Sequence, residues 1–348
     1  MRTDPDLMNP HPTVASRIET GDKLFSSANL EALSLSLSSS SVIRTPVVAE
    51  YPRLSPDAKF HLRMAFTCAL LLTISIAGCR LASIHVDIGS RIFAVVTTLA
   101  MIAPLPVYWH EKGRAALRES TLVLPWALIA AALLPFPVLI ASRWNMPLQD
   151  TLFGHIDQTL GGSVPAIMDW AGHHWLGTII NACYRQLLPL LAIAALAPAL
   201  TGKMKEAREF LVSSLIASIM ALLFFAILPT VGPWYHYHLV PTIPQAVYWN
   251  LLHELQQPGP YTFREGAAGI LCFPSFSVIW AILSASALWG FRPLRIPVSL
   301  LSALIILSTL TTGWYYLTDV IAGVFIAALA IGITRTIHPA SQPVPSSQ

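Results

Sequence analysis

The chain has 348 residues, 54% of them hydrophobic and 11% charged, with a mean hydropathy of +0.60 and a formal net charge of +3. A soluble domain carries about 25% charged residues, so this composition excludes a water-soluble globular protein and makes the bilayer the solvent. The small positive balance is accounted for by basic loops and points to no nucleic-acid partner.

Residues 1–55 contain "SLSLSSSS" and scattered prolines, without an apolar stretch behind a basic start, and read as a disordered cytoplasmic tail. Beyond them the apolar runs are long and continuous. Crossing a hydrocarbon core about 30 Å thick takes roughly 20 residues, and only helices or closed barrels satisfy their backbone there. The expectation is an all-α polytopic integral membrane protein of about eight transmembrane helices, at 64–84, 92–109, 121–141, 184–200, 211–231, 274–290, 295–312 and 316–335. The last stretch, "PASQPVPSSQ", reads as a second disordered tail.

An even number of spans puts both termini on one side. Lys112, Arg114 and Arg118, then Lys203, Lys205 and Arg208, then Arg292 and Arg295 fall in loops on that same side, which the positive-inside rule makes cytoplasmic. Arg80, Arg91, Arg143, Arg185 and Arg264 fall on the opposite face. The expected location is the plasma (inner) membrane, with outward-facing loops carrying any chemistry. Cys68, Cys79, Cys183 and Cys272 have no metal-binding spacing and read as unpaired buried thiols. No cofactor is expected.

Two outer segments are too long for simple turns. Residues 142–183 place apolar side chains at helical spacing among Asp150, Asp157 and Asp169, as amphipathic helices at the interface would. Residues 232–273 link the fifth and sixth spans, and long ordered loops are usually functional.

Three outer helix ends hold residues that can carry chemistry. Asp319 begins the last span in "GWYYLTDVIAG", where a carboxylate either needs a partner or serves as a helix N-terminal acid. In "CFPSFSVIW", Pro274 and Ser275 precede an apolar helix whose first N–H groups form a ready anion site, or are capped by Ser275. "GPWYHYH" supplies Trp234, Tyr235 and Tyr237 for an aromatic belt, and His236 and His238 for phosphate binding, proton transfer or plain solvation.

In that order and spacing, "GPWYHYH", "FPSFSV" and "TTGWYYLTDVIAG" resemble the phosphatidic acid phosphatase type 2 superfamily, and within it the inositol phosphorylceramide synthase-like branch. The likeness covers about 120–335. It implies a six-helix membrane core at 120–337, preceded by two additional helices at 56–119 and followed by the tail at 338–348. It also implies a lipid phosphate as partner and a metal-free mechanism in which one histidine attacks phosphorus, an aspartate four residues on orients it, and a second histidine protonates the leaving oxygen. Carried over by position, the nucleophile place is Tyr315, the orienting acid is Asp319, and the general-acid place is Ser277. Pro274 and Ser275 shape the phosphate cradle, and Trp234, Tyr235, His236 and His238 line the substrate side.

Both essential positions depart from that pattern. "FPSFSV" and "GWYYLTD" stand where "FPSFHV" and "GWHYLTD" are expected, and no histidine lies between residues 254 and 337. Imidazole is nucleophilic near neutrality, whereas a phenol with a pKa of about 10 needs help to attack. Serine has no proton to give at that pH, and losing a general acid costs ~10²–10⁴-fold. Three readings follow. The chain is a degenerate member or inactivated copy that binds lipid phosphate without turnover; or it is an active phosphatase or phosphotransferase with His236 or His238 filling a lost role; or it is a lipid carrier or membrane scaffold.

Overall fold

The computed structural model describes residues 55–86, 95–96, 98–263 and 272–337; the two expected tails, Arg91 and Arg264 lie outside them. Helix α1, Pro56–Leu81, runs into a short strand β1, Ile84–Val86. After α2, Pro104–Glu111, three consecutive helices form one long apolar run: α3, Ala115–Thr121, α4, Val123–Leu133, and α5, Pro135–Arg143. Prolines divide that run: Pro125 in the first turn of α4 and Pro135 at the start of α5 cannot donate to the turn before them.

Residues 142–183, read as amphipathic helices, form α6, Asp150–Thr159, α7, Val164–His173, and α8, Trp175–Tyr184. Helix α9, Leu187–Leu200, continues α8 with a 45° bend. Then come α10, Met204–Ile227, the single turn α11, Pro233–His236, α12, Ile243–Gln256, and strand β2, Tyr261–Phe263. The last three helices are α13, Phe276–Leu288, α14, Arg295–Thr311, and α15, Leu317–Ile337.

By length and composition four segments among the described residues can cross a membrane: Asp57–Leu81, Ala115–Arg143, Met204–Ile227 and Leu317–Ile337; the bent pair α8–α9 makes a fifth. Helices α13 and α14 are apolar but shorter, at 13 and 17 residues. Leu62, Phe66, Leu223 and Phe325 on these helices are exposed, as lipid-facing side chains are. These features make the chain an integral membrane protein.

Helix α13 sits at the centre, packed against α9, α10, α14 and α15. Small buried residues, Ala217 and Ala221 on α10, Ala281 on α13, and Ala327 and Ala330 on α15, let the helices approach closely. Gly323 does the same beside the site, since a Cβ there would lie 2.9 Å from the Ser275 carbonyl oxygen. Ser302 Oγ on α14 donates to the Ala281 carbonyl at 3.0 Å, a polar link between α13 and α14. Helix α1 packs separately, through Phe60, Met64 and Cys68, against α4 and α10.

One departure from all-α is the parallel pair β1 and β2, with Ile84 opposite Tyr261 and Val86 opposite Phe263. Its β-branched and aromatic residues suit a ladder, and Arg143 fixes its surroundings. That guanidinium donates to the carbonyls of Ala82, Leu255, Gln257 and Gly259. Arg143, an exception to the loop-charge bias in the sequence, thus holds carbonyl groups at the ends of α1 and α12. All four cysteines are free, three of them buried.

Candidate active site

The site is assembled where α13 and α15 begin. Ser275 is the N-cap of α13, its Oγ accepting from Val278 N–H at 3.4 Å, while its own N–H donates to the Asp319 carbonyl at 3.2 Å. That backbone bond ties the start of α13 to the first turn of α15. Ser277 and Tyr315, 38 residues apart, are brought together: their hydroxyls lie 3.2 Å apart and both are buried. Tyr184, at the end of α8, adds a third hydroxyl 3.3 Å from Ser277 Oγ. Burial, and then the neighbouring Tyr184, push the Tyr315 phenol well above its ordinary value of 10.0.

Asp319 is wholly buried. Its Oδ2 accepts the backbone N–H of Tyr316 at 2.7 Å, and its Oδ1 has no hydrogen-bond partner among the described residues. The carboxylate therefore holds the backbone beside Tyr315, whereas the carried-over role would direct it to the side chain at 315. The physical reason is the identity of that side chain: the Tyr315 hydroxyl extends to Ser277, and one carboxylate oxygen is left over.

Two further carboxylates, read in the sequence only as polar residues of an amphipathic helix, hold the assembly from α6. Asp157 accepts from the N–H groups of Leu317 and Thr318, at 2.6 and 2.9 Å, and from the Thr318 hydroxyl at 2.6 Å. It caps α15 from outside, satisfying orphan donors at the positive end of the helix. Asp150 accepts from the N–H groups of Val231 and Gly232, with the shortest contact at 2.8 Å, and from the Tyr316 hydroxyl at 3.0 Å. Burial raises its pKa from the ordinary 3.8, against the pull of the Gly232, Val231 and Tyr316 donors. The signal for this face was present: Asp150, Phe153, Gly154 and Asp157 recur at helical spacing, and all four are buried.

The "GPWYHYH" segment makes the turn α11. Gly232 adopts φ +122°, and a Cβ there would sit 2.6 Å from the Trp314 carbonyl oxygen, so glycine is required where this turn meets the start of α15. Trp234 is buried with its Nε1 unpartnered among the described residues, and Tyr235 stacks on Trp249 at 4.7 Å. His236 is half-buried against α6, where a Cβ on Gly154 would be 2.5 Å from Nε2, and its ring lies 6.5 Å from that of Tyr316. His238 is exposed, with φ 55°. Neither histidine hydrogen-bonds to Ser277 or Tyr315. Pro274 is buried beside the α13 cap. Among the described residues no group of His, Cys, Asp and Glu side chains could hold a metal ion.

The fold and this arrangement define a class: a helical integral membrane protein whose polar site is built at the starts of two of its helices, from segments far apart in sequence. A family model described as the PAP2 superfamily matches residues 151–333, which contain every residue just named except Asp150. The chain belongs to the PAP2 superfamily, the lipid phosphatase-like membrane proteins its motifs resemble. No curated protein and no solved structure matches it.

Proposed function

We propose that this protein binds a lipid phosphate at the Ser277–Tyr315–Asp319 site without the histidine chemistry of its superfamily, as a degenerate member of the inositol phosphorylceramide synthase-like branch. The observation that carries this reading is the bond between the Ser277 and Tyr315 hydroxyls at the two positions where the resemblance calls for imidazoles. A phenol held protonated by burial does not attack phosphorus, and an alkyl hydroxyl does not protonate a leaving oxygen near neutral pH. The reading keeps the helix start at Ser275, the turn at Gly232 and the aromatic residues beside it as the cradle, although Ser275 Oγ caps one of the N–H groups there.

On this reading the chain has eight spans with a six-helix core, both termini cytoplasmic and the site facing outward from the plasma membrane. The distribution of charge supports that orientation. Lys203 donates to the Gly290 carbonyl at 2.8 Å, joining the start of α10 to the end of α13, and Arg208 pairs with Asp57 at 2.6 Å near the starts of α10 and α1, both away from the site. The test is binding and turnover together: purified protein should retain a lipid phosphate in a flotation assay while releasing no phosphate from it. Failure to retain any lipid phosphate would refute the binding half of the proposal.

A further inference from the structure

Helix α1 lies ahead of the residues that match the family, and its two ends are held differently. At its far end it runs into β1, and Arg143 of α5 donates to the Ala82 carbonyl. At its start three side-chain contacts meet. Asp57 pairs with Arg208 of α10 at 2.6 Å, that guanidinium lies 4.6 Å from the centre of the Phe60 ring, and Trp126 Nε1 of α4 donates to His61 Nδ1 at 2.9 Å. Phe60, Met64 and Cys68 add apolar packing against α4 and α10. Lipid tails are as apolar as these side chains, so docking in a bilayer rests on close packing and polar links rather than on a hydrophobic drive. The indole–imidazole bond is one of the two polar links at this end.

That bond fixes the charge state of His61. An indole N–H only donates, so Nδ1 must be bare and the ring carries its single proton on Nε2. Nε2 is buried without a hydrogen-bond partner among the described residues. A second proton would go to Nδ1. It would set two N–H groups against each other at 2.9 Å and leave an imidazolium with no acceptor on either nitrogen. The charged groups around the ring do not offset this. Arg208 of α10 repels a positive imidazole, Asp57 of α1 is already paired with Arg208, and Glu119 of α3 lies 3.7 Å from Arg118. Helix α4 brings no titratable side chain. Histidine is the side chain that ordinarily gains its charge between about pH 8 and pH 5.

We propose that His61 is a pH-sensitive latch. Neutral, it holds the first turns of α1 against α4 and α10 through Trp126; protonated, it releases them, while β1 and Arg143 keep the other end of the helix in place. The latch is independent of the lipid-phosphate reading, since His61 and Trp126 lie outside the residues that match the family.

The test is a distance between two spin labels, measured by double electron–electron resonance on the full chain in nanodiscs. The labels go on Lys59→Cys of α1 and Lys205→Cys of α10, both exposed positions, with Cys183→Ala removing the one cysteine that is not buried. At pH 8 a single short distance is expected. At pH 5.5 a longer one should appear, the ratio of short to long populations falling about tenfold, the equivalent of one lost buried hydrogen bond. His61→Gln keeps an oxygen that can accept from Trp126 but cannot be protonated, so it should hold the short distance at both pH values. That variant retains Asp57, Glu119 and Arg208, and a pH-dependent shift that persisted in it would assign the response to those groups and overturn the latch. Where His61→Gln does not fold, Trp126→Phe takes its place: it removes the opposed donor, and a full wild-type response in it would overturn the proposal equally. So would a wild-type distance unchanged between pH 8 and pH 5.5.

Discussion

Tyr316 Oη donates to Asp150 Oδ1 at 3.0 Å, joining the start of α15 to a helix 166 residues earlier in the chain. The same carboxylate takes the N–H groups of Val231 and Gly232. One side chain therefore sets two of the three site segments against each other, and its titration should be visible in stability. Because burial raises the Asp150 pKa from 3.8, the folded state holds the proton more tightly than the unfolded chain. The contribution of this group is fullest below pH 3.8 and declines as pH rises through the folded value. Asp150→Asn mimics the protonated form, so the wild-type melting temperature, taken relative to Asp150→Asn, should fall as the pH rises above 3.8 through the raised folded value. A difference that does not change with pH would show that the carboxyl is not perturbed.

Asp157 fixes the other end of the same helix face. It accepts three hydrogen bonds from the first turn of α15 and is fully buried. Loss of a helix cap costs about 0.5–2 kcal/mol, and here the orphaned N–H groups are largely shielded from water as well. Asp157→Ala should destabilise by at least about 2 kcal/mol in thermal unfolding in detergent. An unchanged midpoint would mean that α15 starts without this cap.

Gly232→Ala should be among the most damaging small substitutions outside the spans. It combines φ +122° with a Cβ placed 2.6 Å from a backbone oxygen, which cannot move aside as a flexible side chain would. The expected result is loss of lipid-phosphate retention and a lowered melting temperature, whereas Gly161→Ala, at φ +76° but with open space around it, should cost only its backbone strain. Equal behaviour of the two variants would contradict the packing at Trp314.

The unpartnered Asp319 Oδ1 gives the histidine-restoration experiment a structural basis. That oxygen is buried and free to accept from a histidine introduced four residues earlier, at 315, and Tyr315→His vacates the hydroxyl position that Ser277→His would fill. The variant Ser277→His/Tyr315→His should release phosphate from a lipid phosphate where the parent does not. A folded but inert double variant would argue that the cradle has lost more than its two imidazoles.

Much of this was legible in the sequence, for identifiable reasons. Apolar runs long enough to span lipid mark α1, α10 and α15 directly, and "FPSFSV" with "GWYYLTD" marks the two helix starts whose hydroxyls meet. The roles of Asp150 and Asp157 were not legible, because a carboxylate on an amphipathic helix ordinarily faces water. Only the coincidence of both with Phe153 and Gly154 on one face tells otherwise, and their partners lie about 80 and 160 residues away. Arg143 misled for a related reason: a sequence counts its charge but not the four carbonyls that receive it. The continuity of α8 with α9 across a 45° bend was hidden because α8 looked like an outer helix and α9 like a short span.

The central claim is that this site holds a lipid phosphate and leaves it intact. The direct measurement is inorganic phosphate released from a panel of lipid phosphates by the purified protein, alongside Ser277→Ala/Tyr315→Ala. The two should be indistinguishable at every pH between 5 and 9. Release well above that control would contradict the claim, and its disappearance in His236→Ala/His238→Ala would move the chemistry to the turn at α11.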